Sequence, residues 1–238
     1  LLLGGLYMSD PAHLAEYRAG LAGFLAPDDV PRRLFSEGGD ILREAARTID
    51  PQGPLPAEDA ELAGAVEEAL AELAGHSLVS LAPAAFSCHR LVQAVQVDRL
   101  SSEERRRWID LALRLVDHHL PPDPDDVRTW TVWEPMAAHV ACLLQHADEI
   151  GILEPTGRLM NQLGLFFKTR ASYDRAAPLY RRALAIAEKG LGPDDPGVSI
   201  RLNNLAMLLR DTNRLAEAEP LFRRALAIDE KAFGPDHP

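Results

Sequence analysis

Apolar and small residues follow the period of an α-helix through the last third of the chain, and the whole pattern returns after 42 residues. Residues 177–186 read APLYRRALAI, and residues 219–228 read EPLFRRALAI. The same offset relates LGPDDP at 191–196 to FGPDHP at 233–238. A fixed period of this kind is the signature of stacked helical hairpins, which usually present a surface to a partner. The pattern therefore predicts an α-solenoid.

Small residues lie at matched positions in the two copies, where two helices must approach closely, and large apolar residues fill the space between them. The small positions are Gly164/Ala206, Ala176/Ala218 and Ala183/Ala225, and the large ones in the first copy are Leu163, Phe167, Leu179 and Tyr180. Gly192 and Gly234 can take the left-handed conformation that ends a helix. Asp195 and Pro196 then supply a cap and a first helical residue. By the same reasoning, GPDHP at 234–238 is expected to open a third unit, so the array is expected to continue.

The first hundred residues follow a different pattern, of short helical segments followed by a pair of strands. The predicted elements are helices over 13–27, 31–38, 58–75 and 89–100, a Pro/Gly-rich loop at 48–57, and a hairpin formed by SLVSLA (77–82) and AFSCH (85–89). Helices followed by a hairpin and a last helix predict a small winged-helix module within residues 1–100.

Residues 101–155 are predicted to form a connecting helical hairpin before the repeats, which occupy residues 156–238. Ser101 and Glu104 have the spacing of a capping box, which opens a helix to about His119. A second helix is predicted over about 133–148. The hairpin would cover the apolar end of the first repeat, since interior repeats bury both faces on neighbours.

Charge divides the chain at about residue 157. The sequence holds 25 Lys and Arg against 36 Asp and Glu, a net charge of −11. Residues 157–238 carry +3 and residues 1–156 carry −14. An acidic first part disfavours general attraction to nucleic acid or to an anionic membrane. The helix predicted over 58–75 would enter the groove in a DNA-binding winged helix, yet it contains neither Lys nor Arg.

The repeats resemble the tetratricopeptide repeat, and their long form resembles that of kinesin light chains and many bacterial signalling proteins. This resemblance rests on LNNLA at 202–206 and on the GPDHP turn. FLAPDDVP at 24–31 and CHRLVQAVQVDRL at 88–100 resemble the winged-helix subdomain of bacterial NB-ARC proteins, a branch of the STAND nucleotide switches. The second resemblance implies a regulatory chain in which this subdomain lies between an ATPase core and a repeat array.

The NB-ARC resemblance also implies a nucleotide-binding role for His89. In that family a histidine near this point contacts the phosphate of bound ADP. The common motif Met-His-Asp is Cys88-His89-Arg90 here, so only the histidine matches. The alternative is that His89 caps the last helix or packs under the hairpin. No lysine follows a glycine, so the sequence has no phosphate-binding loop. We expect no cofactor in this chain. ADP or ATP is expected to bind only to a protein that also contains the ATPase core.

The kinesin light chain resemblance implies a peptide groove on the concave side of the repeats, lined by the first helix of each unit. Helix phase turns Leu163, Gly164 and Phe167 inward. The outward residues predicted to bind a partner are Asn161, Gln162, Lys168, Asn203, Asn204, Met207 and Arg210. An amide side chain can hydrogen-bond a peptide backbone whatever the peptide sequence. The cations Lys168 and Arg210 would favour acidic peptide segments. The alternative is that Asn203 or Asn204 ties adjacent helices together.

Other chemistries find little support in the sequence. No G-x-S-x-G motif surrounds a serine, and DHHLPPDPDD at 117–126 lacks the ligand spacing of a metal site. Two cysteines make no disulfide framework, which predicts a reducing cytoplasm. We therefore expect a non-enzymatic sensor region of a nucleotide switch that binds a protein or peptide, and neither nucleic acid nor membrane. The alternatives are a plain scaffold or adaptor and a winged-helix transcription regulator.

Overall fold

The computed structural model describes residues 22–36, 38–49 and 59–234, and this part of the chain is mostly helical, as the sequence predicts. It divides into two compact units. Of the described residues, unit 1 comprises those up to Leu120 together with Glu134–Ile150, and unit 2 comprises Pro121–Trp133 and those from Gly151 onward. The helix expected over 13–27, the loop expected over 48–57 and the turn expected to open a third unit lie largely outside the described residues.

Unit 1 contains a three-stranded antiparallel sheet among its helices. Its elements in chain order are β1 (Val30–Pro31), α1 (Arg33–Ser36), α2 (Gly39–Ile49), α3 (Asp59–Gly75), β2 (Val79–Leu81), β3 (Ala85–Cys88), α4 (Arg90–Arg99), α5 (Ser102–His119) and most of α6 (Trp130–Glu149). The strand order is β1-β3-β2, with Val30 opposite Phe86 and Val79 opposite Cys88. The predicted hairpin is therefore present, and β1 adds a third strand to it.

The segment around Pro31 differs from the prediction. The sequence predicts a helix over 31–38, but Pro31 lies in β1 and the helix spans Arg33–Ser36. Because β1 is an edge strand, the missing N–H of the proline costs little there. Thr48 and Ile49, predicted to be loop, instead lie at the end of α2.

Side chains from the sheet and from α1, α5 and α6 contribute to the core of unit 1. Phe35 and Phe86 are both buried, with ring centroids 5.8 Å apart. The predicted capping box of α5 is confirmed, because the Glu104 N–H donates to Ser101 Oγ at 3.3 Å and the Ser101 N–H donates to Glu104 Oε2 at 2.8 Å. The predicted apolar face of α6 is also buried, comprising Met136, Val140, Leu143 and Leu144.

Unit 2 contains two helical hairpins and the segment that precedes them. Repeat 1 consists of α7 (Thr156–Thr169) and α8 (Tyr173–Gly190), and repeat 2 consists of α9 (Pro196–Asp211) and α10 (Leu215–Phe233). Gly164 allows the close approach predicted for it, since a Cβ there would lie 2.9 Å from Tyr180 Cε1. Gly192 has the predicted positive φ, +96°, and Asp195 caps α9 by accepting from the Gly197 N–H at 2.7 Å.

The segment 121–133 packs on repeat 1 through two tryptophans. The Trp133 ring stacks on Phe166 with centroids 5.8 Å apart, and its Nε1–H donates to the Pro121 carbonyl at 3.2 Å. Trp130 meets Phe166 edge-on and donates to the Pro124 carbonyl. The indole rings therefore contribute packing area while their N–H groups remain satisfied.

Candidate functional site

The outward sides of α7 and α9 form one surface, which we call the first-helix face. Buried residues point the other way, towards the second helix of each repeat: Leu163, Gly164 and Phe167 in α7, and Leu205, Ala206 and Leu209 in α9. The first-helix face consists of Arg158, Asn161, Gln162, Leu165, Lys168 and Thr169, and of their counterparts 42 residues on, Ile200, Asn203, Asn204, Met207, Arg210 and Asp211. All seven residues predicted from the sequence to bind a partner lie on it.

Amide side chains connect the helices across this face. The Asn204 Nδ2–H donates to Asn161 Oδ1 at 3.0 Å, which joins α9 to α7. At the equivalent position one repeat earlier, the Gln162 Nε2–H donates to the Pro122 carbonyl at 3.3 Å. Asn204 therefore ties adjacent helices together, the alternative that the sequence left open. Asn203 is exposed, and its Nδ2 lies 3.9 Å from Met207 Sδ, a weak contact.

Lys168 and Arg210, two of the three cations of the face, share one carboxylate. Lys168 Nζ lies 3.2 Å from Asp211 Oδ2, and the Arg210 guanidinium lies 3.1 Å from Asp211 Oδ1. Burial opposes ionisation of Asp211, but hydrogen bonds from Arg210 and Lys168 outweigh it and lower the pKa of this carboxyl. The Lys168 side chain is only 13% exposed, whereas that of Arg210 is 54% exposed. Arg210 is therefore the cation better placed to meet a partner.

An apolar row runs along the middle of the first-helix face. Ile200 is 58% exposed, and Met207 and Leu165 are half-buried. Ile200 and Met207 are seven residues apart, two turns of helix, so they lie on the same side of α9. The row thus leaves apolar surface exposed beside the amide of Asn203.

The junction between the repeats uses a defined set of groups on repeat 1. Asn161 and Lys168 bind α9 as described, Glu188 pairs with Arg224 at 2.5 Å, and Leu184 packs against a cluster that includes Val198 and Leu202. Their counterparts on repeat 2 are all exposed, and we call them the outer edge of repeat 2: Asn203, Arg210, Leu226 and Glu230.

Tyr180 carries a polar atom that the sequence does not single out. Its side chain is fully buried against Gly164, and its hydroxyl has no hydrogen-bond partner among the described residues. Burial, assisted by the charges of Asp125 and Asp211, raises the pKa of this phenol. The counterpart in repeat 2 is Phe222, which has no hydroxyl to satisfy.

His89 lies at the first turn of α4, outside the repeats. Its Nδ1 accepts a hydrogen bond from the Leu91 N–H at 3.2 Å, so it caps the helix, which is one of the two roles considered from the sequence. The side chain is nevertheless exposed. The cap uses Nδ1, so it does not occupy the second ring nitrogen.

The two segments that carry the NB-ARC resemblance are in contact with each other in unit 1. The Cys88 N–H donates to the Pro27 carbonyl at 2.7 Å, and the Gln93 Nε2–H donates to the Leu25 carbonyl at 3.1 Å. Next to them, the Asp29 N–H donates to Ser87 Oγ at 3.1 Å. His139 of α6 supports the same loop, with its Nε2 3.2 Å from the Asp29 carbonyl. Burial lowers the pKa of His139.

Metal sites and membrane spans were sought in the described part of the chain. No group of three or more His, Cys, Asp or Glu side chains there is arranged to hold a metal ion. None of the helices described combines the length and the apolar character needed to cross a membrane. Cys88 and Cys142 are free thiols, and burial raises the pKa of both.

Comparison with known proteins identifies the repeats. Residues 155–238 match the family model of the tetratricopeptide repeat. No curated protein matches the chain. Among solved structures, the chain is similar to BtubC (BKLC) from P. vanneervenii, with 17% sequence identity, a TM-score of 0.47, and coverage of 87% of this chain and 76% of that one. The tetratricopeptide repeats predicted from the 42-residue period are thus confirmed for the last third of the chain.

Proposed function

Because residues 155–238 are tetratricopeptide repeats, we propose that this protein captures a protein or peptide partner on its first-helix face. The observation that carries the proposal is the exposed row on α9, where Ile200, Asn203 and Arg210 project from a helix that Asn204 fixes to its neighbour. A rigid support that presents exposed apolar, amide and cationic groups needs little reorganisation on binding, so less of the binding energy is lost to ordering.

The residues of the face divide into two roles in this proposal. Asn161, Gln162 and Asn204 hold the helices in place through their mutual and backbone hydrogen bonds, with Lys168 assisting through Asp211. Asn203, Met207, Ile200 and Arg210 contact the partner. The amide of Asn203 suits a peptide backbone, and the apolar row suits an aliphatic side chain.

The proposal is tested with peptides selected on the intact protein from a random phage-displayed library. The double variant Ile200→Ser/Asn203→Ala should bind the selected peptides about tenfold more weakly, because it removes an apolar contact and a backbone-reading amide. Binding is measured by fluorescence anisotropy, and helicity by circular dichroism.

A matched control is Leu215→Ser, which removes an aliphatic side chain of equal exposure from α10. This variant should keep the affinity of the wild type. If the selected peptides bind the double variant and the wild type equally well, the first-helix face is not the binding site.

We further propose that the chain is the sensor arm of a STAND-type nucleotide switch in the cytoplasm. Residues 1–100 would be its winged-helix module, 101–155 a connecting segment and 156–238 the sensor array. The proposal is supported by the contact between residues 24–31 and 88–100, and by the exposure of His89 at the start of α4. Partner capture would shift the contacts of this module with a nucleotide-binding core, and His89 would contact the ADP phosphate.

His89→Ala tests the switch in a polypeptide that joins this chain to such a core. The variant should release a fluorescent ADP analogue about tenfold faster, because a hydrogen bond to a charged phosphate is lost. His76→Ala, which also removes an exposed histidine, is the control. Equal release rates for the wild type, His89→Ala and His76→Ala would contradict the proposed switch. The remaining proposal would be a plain scaffold, which the repeats alone support. A DNA-binding winged helix is disfavoured by the exposed carboxylates on α3, among them Glu67, Glu68 and Glu72.

A further inference from the structure

Helix α4 exposes three of its five aliphatic residues and buries an amide. Its innermost side chain is Gln93, whose Nε2–H groups donate to the carbonyls of Ala22 and Leu25 at 2.7 and 3.1 Å. Leu91 and Val95 are 69% and 50% exposed. A helix on the surface of a protein usually has the reverse arrangement, with aliphatic residues inside and amides in water. The outward side of α4 therefore has the composition of a face that is covered by something else.

The exposed aliphatic residues form one continuous ridge. Leu91, Ala94 and Val95 are spaced i, i+3 and i+4, so they are neighbours on one side of the helix. All three are exposed. The small Ala94 lowers the ridge beside its two larger neighbours, which leaves room for a side chain from a second helix. We call these three residues the α4 ridge.

Two arginines flank the α4 ridge. With a rotation of about 100° per residue, Arg90 and Arg99 lie roughly 80–100° from Leu91, on opposite sides of the ridge. They are the sole Lys or Arg residues of the segment 59–99, which has six Asp and Glu residues. Both are exposed, and neither pairs with a carboxylate within the described residues. Asp98, at the far end of the ridge, is the one carboxylate on this side of α4.

We propose that the α4 ridge binds an amphipathic helix of a partner protein, one whose apolar stripe has carboxylates on both sides. The apolar stripe would cover Leu91 and Val95, and the carboxylates would meet Arg90 and Arg99. The site lies in unit 1, so it is separate from the first-helix face and does not depend on the function proposed for the repeats.

The test uses two synthetic helical peptides of about 20 residues with the same leucine stripe. In one the stripe is flanked by glutamates, and in the other by lysines. The intact protein should bind the glutamate peptide at least about tenfold more tightly, and salt should weaken this preference because exposed charges are screened. Binding is measured by anisotropy of the labelled peptides.

Two variants decide whether the preference arises at the α4 ridge. Leu91→Ser/Val95→Ser should lose binding of the glutamate peptide by about tenfold or more, while Leu226→Ser, an equally accessible leucine of α10, should retain it. Arg90→Glu/Arg99→Glu should reverse the preference towards the lysine peptide. All four substituted side chains of these two variants are exposed, so the fold should persist, and thermal unfolding checks this.

Several outcomes would overturn the proposal. They are equal affinity for the two peptides, an unchanged preference after the double charge reversal, or unchanged binding by Leu91→Ser/Val95→Ser. A concentration-dependent dimer in analytical ultracentrifugation that Leu91→Ser/Val95→Ser abolishes would also overturn it, since the ridge would then be covered by a second copy.

Discussion

At the scale of single residues, the turn inside each repeat requires a left-handed backbone conformation at one position. Only repeat 2 has a residue suited to this conformation there. Ala171 and Asn213 occupy equivalent positions, with φ of +56° and +59°. The same hydrogen bonds surround both, since Ser172 N–H donates to the Phe167 carbonyl and Arg214 N–H donates to the Leu209 carbonyl, each at 2.8 Å. Asparagine adopts this conformation more readily than alanine, because its short polar side chain can form local hydrogen bonds that offset the crowding of the Cβ against the following carbonyl.

Ala171→Gly should therefore stabilise the protein. Relief of the left-handed strain should stabilise the folded state by about 1–2 kcal/mol. The greater entropy of glycine in the unfolded chain offsets about 0.5–1 kcal/mol of this stabilisation. We expect a net gain of up to about 1 kcal/mol in the free energy of unfolding, measured by urea denaturation.

The same substitution at Ala185 provides the control. Ala185 is exposed in the middle of α8, where glycine costs about 1 kcal/mol relative to alanine. The two variants should thus change stability in opposite directions. A loss of stability in Ala171→Gly would show that the turn does not strain residue 171.

At the scale of helices, the ion pair between α7 and α9 should contribute more than a pair of similar geometry within one helix. The side chains of Lys168 and Asp211 are 13% and 26% exposed, and Lys168 is held at the junction of two helices. Partial burial reduces screening by water and salt. A double-mutant cycle with Lys168→Met and Asp211→Asn should give a coupling energy of about 1 kcal/mol, from urea denaturation of the four proteins.

The pair between Arg223 and Glu219 of α10 is the matched comparison. Its nitrogen–oxygen distance is 2.6 Å, shorter than that of the Lys168 pair, but its side chains are 78% and 61% exposed. An i, i+4 pair of this kind contributes about 0.3–0.5 kcal/mol. Equal coupling energies in the two cycles would mean that distance rather than burial decides the strength of these pairs.

Among the helices and strands, those of the repeats could be predicted from the sequence, whereas one strand of unit 1 could not. The repeats were predictable because the residues of a close approach recur in the sequence after 42 positions: Gly164 and Tyr180, which are in contact, correspond to Ala206 and Phe222. In unit 1 the strand β1 was missed, because its two residues are ordered by pairing with β3 more than fifty positions later. No local pattern encodes a contact of that kind.

The residues of the first-helix face were predicted as a set, but not which of them hold adjacent helices together. Asn203 and Asn204 are adjacent, so they differ by about 100° of rotation around α9. Asn204 happens to face Asn161 of the preceding repeat, whereas Asn203 faces away from it. That difference depends on the crossing of two helices, which a single sequence does not specify. The outward aliphatic side of α4 was likewise hidden, since it inverts the usual helical pattern.

At the scale of the whole molecule, the outer edge of repeat 2 should accept another hairpin of the same kind. Its groups match those by which repeat 1 holds repeat 2. A protein extended after Pro238 by a copy of residues 197–238 should unfold about 5 °C or more above the original, because each added repeat contributes an interface as well as its own stability. Differential scanning calorimetry measures the change.

An extension that carries alanine in place of the copied Asn204, Asp211 and Arg224 is the control for this prediction. It preserves the apolar contacts but removes the groups that would bind Asn203, Arg210 and Glu230. Its unfolding temperature should rise clearly less than that of the protein extended by the unchanged copy. Identical unfolding temperatures for the original and both extended proteins would mean that the outer edge does not act as a junction.

Each repeat uses different residues towards the repeat before it and towards the repeat after it. This has a consequence for how the number of repeats in such a chain can change. Repeat 2 carries both halves of a junction, one that faces backward through Asn204 and Arg224, and one that faces forward through Asn203 and Glu230. Duplication of its 42 residues therefore creates a new junction that already fits, and deletion of a unit leaves no mismatch behind. The first-helix face would then lengthen or shorten in whole steps, without a compensating substitution elsewhere.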